Sequence, residues 1–358
     1  MSMLSKLNKE LNRQLDQPAE PHRFRWWHIP LLLLLIAGTV YVVKQNQGGK
    51  QSVDTNEAIT YQKCEGNIFG TFYHITYQHP TDLKDSIEEA MHRVDNSLSP
   101  FNPNSTISHI NNNSSSETDT AFVTVFTLAK QISADTNGAF DITVAPLVNA
   151  WGFGFKNKDI VTDQLIDSLL QYVGMEKVWL SDAAIHKADT SVMLDCSAIA
   201  KGFGVDVVAE LLEAKHVGNY MVEIGGEVRV KGMNPKGKSW NIGIVKPDPD
   251  PMGQEIEEVL SITDISMATS GNYRNFYVEG DRRYAHTIDP RSGRPVQHNI
   301  LSATVLAPDC ATADAYATAF MVLGLEDTQR VLSHHPELKA YIIYADSTSK
   351  NAVWRHNM

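Results

Sequence analysis

The chain has 358 residues, 42% hydrophobic and 20% charged, the composition of a packed globular protein rather than a disordered or fibrous one. Its formal net charge of −11 excludes a general nucleic-acid binder, which needs a basic stripe to neutralise phosphates. A polyanionic ligand would have to be held locally, by backbone N–H groups, single cations or a metal.

The chain opens on a segment, 1–28, carrying Lys6, Lys9, Arg13, Arg23 and Arg25. Residues 29–43 follow as an apolar run broken only by Pro30, Gly38 and Thr39, with Trp26 and Trp27 before it and Lys44 after it. Such a run is a membrane anchor or a signal segment, and it is short for a full span. The stretch from Tyr41 to Asn46 lacks a small-x-small cleavage pattern, which favours an uncleaved anchor. The basic segment then places the N-terminus in the cytoplasm and the rest of the chain beyond the inner membrane, in the periplasm of a bacterial source. Residues 44–57 are polar, contain Gly48-Gly49 and read as a tether, so the working domain is expected at 58–358.

Within that domain, Phe69–Tyr77 alternates as a strand, and Leu83, Ile87, Met91, Val94 and Leu98 share one helical face. Helical spacing recurs over Phe122–Ser133 and Gln164–Tyr172. Asp195 and Ser197 are cap-type residues for a helix running to about Lys215. Strands are expected at Tyr220–Ile224, Glu227–Lys231, Trp240–Val245, Arg283–Ile288 and Leu301–Leu306. A last helix is expected at Asp314–Leu323, with closing strands at Ala340–Tyr344 and Ala352–Trp354. Asn111–Thr120 and Lys246–Gly253 read as surface loops. The order is that of an α+β fold with antiparallel sheets. Cys64, Cys196 and Cys310 show no paired metal spacing, and an odd count leaves at least one free thiol.

Five segments, four of them punctuated by glycine, gather acids and small residues. In Gly138–Gly154, Asp141 sits among apolar neighbours and needs donor partners; it is a turn cap or a ligand contact. In Leu194–Asp206, Lys201 falls in the first turn of a helix, against the dipole, which hints that it faces an anion. Glu223-Ile-Gly-Gly-Glu227 is a bend between two strands. His286 stands just before the turn Asp289-Pro290-Arg291-Ser292-Gly293, a position from which an imidazole reaches a cleft. Asp314 and Thr318 are four apart on one helical face, an oxygen pair for a hard cation or a back-bonded Thr near a helix start. No Walker loop, Gly-x-Ser-x-Gly or Rossmann fingerprint is present.

Taken in order, Gly138-Ala-Phe-Asp-Ile-Thr-Val-Ala-Pro-Leu-Val148, Val222-Glu-Ile-Gly-Gly-Glu227, Thr269-Ser-Gly-Asn-Tyr-Arg-Asn275, His286–Pro295 and Ala313-Asp-Ala-Tyr-Ala-Thr-Ala319 resemble the ApbE family of FAD:protein FMN transferases. The resemblance covers nearly everything from Ile68 onward. It implies an ApbE-like α+β fold of two packed lobes with a cleft between them, FAD as substrate and Mg²⁺ as cofactor. The family's metal ligands fall on Asp314, Thr318 and the carbonyl of Ala198. Its FAD contacts fall on Phe69, Phe101, Ala139, Phe140, Asp141, Asp195, Lys201 and Ile288, and its catalytic histidine on His286. The chain departs from the usual pattern with Phe69 for Met and Phe101 for Tyr, and with Lys201 where some members carry Glu.

The implied reaction splits the FAD pyrophosphate, attaches FMN through a phosphoester to a Ser or Thr of an acceptor protein, and releases AMP. His286 is then either the proton acceptor or a stabiliser of the phosphoryl oxygens. The implied acceptors are flavoprotein subunits of respiratory redox pumps, such as the sodium-pumping NADH:quinone reductase. Two rival readings use the same residues: an FAD pyrophosphatase, with water replacing the acceptor, and a non-catalytic membrane-tethered FAD-binding protein.

Overall fold

The structure, a computed structural model, describes residues 60–154, 161–247, 255–271, 276–279, 282–346 and 351–358. The expected segments 1–28, 29–43 and 44–57 lie outside the described residues, as do most of the Lys246–Gly253 loop and Asn272–Asn275. Among the described residues no helix is long and apolar enough to cross a membrane.

Eight strands, taken in chain order, each pair antiparallel with the next: β1 (Tyr61–Ile68), β2 (Thr71–Gln78), β3 (Tyr220–Ile224), β4 (Glu227–Lys231), β5 (Ile265–Gly271), β6 (Ile300–Ala307), β7 (Lys339–Ala345) and β8 (Asn351–His356). The described helices are α1 (Lys84–Leu98), α2 (Thr106–Asn111), α3 (Thr120–Asp135), α4 (Ala145–Ala150), α5 (Asp163–Leu170), α6 (Ala200–Ala214), α7 (Cys310–Leu323) and α8 (Leu325–Leu332). The result is mixed α+β with an antiparallel sheet, as the sequence implies.

Strand alternation sorts the two faces of the sheet. On β7, Ala340 and Ile342 enter the main core with α7, whereas Tyr341 and Ile343 pack on the other face against Ile244. That second face is covered by the hairpin Trp240–Val245/Ile256–Ile262, whose Trp240 sits on Val228 and Val230 of β4. On the first face, α6 lies over β3 and β4, and α7 lies over β5 and β6. A second core joins α1 and α6 to β1, β2 and β3 through Ile87, Met91, Val205, Val208, Leu212, Tyr73, Ile75 and Val222. All three cysteines are buried and free; burial pushes each thiol up, to about 12 for Cys64.

Three expectations about local structure need correction. The strand expected to start at Phe69 starts at Thr71, because Phe69-Gly70 is the two-residue turn of a hairpin, with both residues at positive φ (52° and 73°). Asp195 does not cap α6: it accepts hydrogen bonds from Ser197 N and Oγ, and α6 begins only at Ala200 after an uncapped Ile199. The last long helix begins at Cys310, capped by Asp309 accepting from Thr312 N at 2.8 Å, so Asp314 lies a full turn inside it.

Candidate active site

α6 and α7 cross unusually closely, and the reason is Gly202. A Cβ there would stand 2.3 Å from the carbonyl oxygen of Cys310 and 2.8 Å from Cβ of Asp314. The bare backbone instead lets Gly202 N donate to Asp314 Oδ2 at 3.0 Å. Asp206, one turn further along α6, accepts from Cys310 N at 2.9 Å and Ala311 N at 2.8 Å, two of the N–H groups a helix start leaves without intrahelical partners. Arg229 of β4 holds the same carboxylate at 2.8 Å. Burial pushes the Asp206 carboxyl up, to about 6, although those donors pull against it. Asp206 thus fixes the register of α7 against α6 and β4, and with it the placement of Asp314 and Thr318.

Two predictions follow from this crossing. Gly202→Ala is expected to push α7 away, costing about 1–3 kcal/mol as overpacking does. Denaturant titration measures the effect; a variant as stable as the parent would show that the crossing is slack. Asp206→Ala removes the nearer of two acidic partners of a largely buried guanidinium and strips two helix donors of their acceptor, so a loss of ~3–5 kcal/mol is expected in the same titration.

The side chains so placed line a cleft of about 390 Å³. Part of the lining is polar. Asp314 is buried there, with Thr318, Ala198, Lys201 and Glu227 beside it. Lys201 Nζ lies 2.7 Å from Glu227 Oε1 and 3.7 Å from Asp314 Oδ1. Burial works against the Lys201 ammonium, but the Asp314 and Glu227 carboxylates outweigh it and hold its pKa raised. Burial raises the pKa of Glu227, with Lys201 opposing and Asp314 adding to the rise. The anion that the sequence hint required for Lys201 is therefore supplied by the protein's own carboxylates.

The rest of the lining is largely apolar and aromatic, with Phe101, Phe140, Phe153, Val148 and Ile288. Asp141 lies in the wall between Phe140 and Ile142. Its Oδ1 accepts from Thr143 N (2.7 Å) and Oγ1 (2.6 Å), and its Oδ2 accepts from Met175 N (3.1 Å). It is both a turn cap and a cleft residue; burial pushes its carboxyl up. Asp195 reaches the cleft too, with its carboxyl also raised by burial. His286 lines the same cleft, its ring edge-on to Phe153 at 6.4 Å between centroids. Behind it the hairpin Ile288–Asp289/Arg294–Pro295 is locked by Arg291 on Asp289 and pinned to the end of α4 by Trp151 Nε1 donating to Gly293 O at 2.9 Å.

A second cavity of about 620 Å³ adjoins the first and shares Phe101, Phe153, Ser197 and Lys201 with it. Phe69 lines it, with its ring against α6 where Gly204 has no side chain. Phe101, 68% exposed, stands between the two cavities. All the candidate positions named from the sequence, from Phe69 to Thr318, therefore lie on this pair of cavities, eleven of them on the first. Glu227, Asp206, Gly202 and Phe153 were not singled out, although each lies in or beside a segment that was. A first-turn lysine asks for an acidic partner, which points to Glu227, but spacing cannot say that β4 supplies it.

The donor set suits a hard cation: a carboxylate, a hydroxyl and a main-chain carbonyl, all oxygen. Among the described residues no three His, Cys, Asp or Glu side chains gather as a metal-binding group. Asp314, Thr318 and Ala198 fit the other arrangement, in which one carboxylate and the substrate's phosphates share an ion.

The ApbE family profile matches residues 69–342. The chain belongs to the ApbE family. Relatives within it include the FAD:protein FMN transferase of Vibrio cholerae, 39% identical over 272 residues (73% of this chain and 81% of the relative). That of Haemophilus influenzae is 39% identical over 297 residues, 78% of this chain and 85% of the relative. Among solved structures, the flavin transferase ApbE from Vibrio cholerae superposes with a TM-score of 0.75 at 34% identity, covering 83% of this chain and 97% of that one. The ApbE assignment agrees with the α+β fold and with the order of the five motifs along the chain.

Proposed function

We propose that this chain is an FAD:protein FMN transferase, and that the cleft lined by α6, α7 and His286 is where FAD is split. The observation that carries this reading is one cleft with two kinds of lining. Asp314, Thr318, Ala198 and Lys201 supply a polar part fit for a cation and phosphates, and three phenylalanines supply an aromatic part fit for a flavin ring. The FAD:protein FMN transferases of similar sequence support it.

When bound by Asp314, Thr318 and the Ala198 carbonyl, Mg²⁺ would offset the charge on the pyrophosphate as the anhydride bond breaks. The chain's own groups do the rest. Phe101, Phe140 and Phe153 hold the ring system. Lys201, fixed by Glu227, adds a cation beside the phosphates. His286, on the same cleft, holds the phosphoryl oxygens as charge builds on them. A Ser or Thr hydroxyl of the acceptor attacks the FMN-side phosphorus, and AMP leaves.

The acceptors we propose are flavoprotein subunits of respiratory redox pumps such as the sodium-pumping NADH:quinone reductase, met on the periplasmic side of the inner membrane. The apolar run at 29–43 with basic residues before it supports that placement, since a short tether raises the local concentration of membrane-bound acceptors.

AMP release from FAD should need both a divalent cation and a flavin-free acceptor. AMP and free FMN appearing at the same rate without acceptor would make the chain a pyrophosphatase instead.

A further inference from the structure

Glu227 is 3% exposed, yet only one of its oxygens is engaged by another residue. Oε1 accepts from Lys201 Nζ at 2.7 Å; Oε2 finds no hydrogen-bond partner from any other side chain or main chain among the described residues. A buried carboxylate oxygen left without a donor is costly, and native structures rarely tolerate one without a use. This one lines the cleft, on the side of Lys201 and Asp314.

The approach to it is bare. Gly225 and Gly226, both at positive φ (66° and 106°), turn β3 into β4 directly before Glu227. A Cβ on Gly225 would stand 3.4 Å from Glu227 Oε2 and 2.8 Å from the Thr71 methyl, so glycine keeps that passage open. The turn Phe69-Gly70 lies alongside, tied to it by Gly225 N donating to Phe72 O at 2.9 Å, and nothing stands within 4 Å of where a Cβ on Gly70 or Gly226 would be. Two neighbouring turns thus offer exposed, side-chain-poor backbone over which a peptide segment can pass closely.

We propose that Glu227 Oε2 receives the hydroxyl of the acceptor protein as its Ser or Thr enters over the Gly225-Gly226 turn, and takes its proton during transfer. This inference rests on the transferase reading. The hydroxyl oxygen forms its bond to the FMN-side phosphorus while the bond from that phosphorus to the bridging oxygen breaks. The electron pair leaves with AMP, and the hydroxyl proton moves to Oε2. Lys201 on Oε1 fixes which oxygen faces the substrate. The proton acceptor and His286 then divide the work, one at the nucleophile and the other at the phosphoryl oxygens.

The test compares the parent with Glu227→Gln, which keeps the shape and a hydrogen-bonding group for Lys201 but cannot take a proton. FAD binding is followed by flavin fluorescence and FMN transfer by the mass of a flavin-free acceptor, with kcat and the acceptor KM measured separately. The expected result is a fall in kcat of roughly 10²–10⁴-fold, with FAD affinity and acceptor KM within about threefold of the parent. Transfer within about threefold of the parent would overturn the proposal, as would a loss of kcat fully matched by a loss of FAD affinity. A parent enzyme that splits FAD but leaves the acceptor unmodified would sink the transferase reading itself, an outcome distinct from either.

Discussion

Asp314→Ala is expected to reduce cation-dependent turnover by roughly 10³-fold, about 4 kcal/mol of barrier, while leaving the protein folded. Asp314 is the carboxylate that α7 contributes to the polar part of the cleft, and its Oδ2 is already committed to Gly202 N. Its other oxygen, 3.7 Å from Lys201 Nζ, would be left to hold a cation. The substitution also orphans the Gly202 N–H, which costs about 1–3 kcal/mol and is within the reach of a domain of this size. Calorimetry with Mg²⁺ alone separates binding from chemistry. The variant should lose cation binding in the absence of any substrate, and raising the cation concentration should restore part of the turnover. Full activity at ordinary Mg²⁺ concentrations would remove Asp314 from the cation site, leaving its buried bond to Gly202 as a purely structural contact.

His286→Ala is expected to slow FMN transfer by roughly 10²-fold or more while changing FAD affinity much less. The geometry gives the reason. His286 lines the cleft two residues before a hairpin locked by Arg291 on Asp289, with its ring edge-on to Phe153. On the proposed reading its loss removes a group that holds oxygens whose charge grows in the transition state, and such a loss appears in kcat rather than in binding. Single-turnover transfer, paired with FAD titration by fluorescence quenching, measures both. A loss of rate wholly accounted for by weaker FAD binding would make His286 a binding residue.

Much of the fold was legible because its strands are short, alternating and joined in chain order. Tyr220–Ile224 and Glu227–Lys231 appear in the structure with the bounds read from the sequence. The misses have physical causes. Phe69 carries a bulky side chain at φ 52°, a conformation that sequence patterns assign to Gly or Asn, so the turn there was read as strand. Asp309 was overlooked as a cap because alanines and small residues blur the helical period of α7. Helices α2 and α4 are six residues each, too short to show a face. At the site, residues within one segment were readable, such as Asp314 with Thr318. The pairings between segments were not: Lys201 with Glu227, Asp206 with the start of α7, and Gly202 with Asp314 bring together residues 26, 104 and 112 positions apart.

The most direct test of the transferase reading is the intact mass of a flavin-free acceptor subunit incubated with Ala58–Met358, FAD and Mg²⁺, beside a metal-free control. A gain equal to one FMN, seen only with the metal and accompanied by AMP, is the expected result. FAD recovered intact, or cleaved with the acceptor mass unchanged, would contradict it.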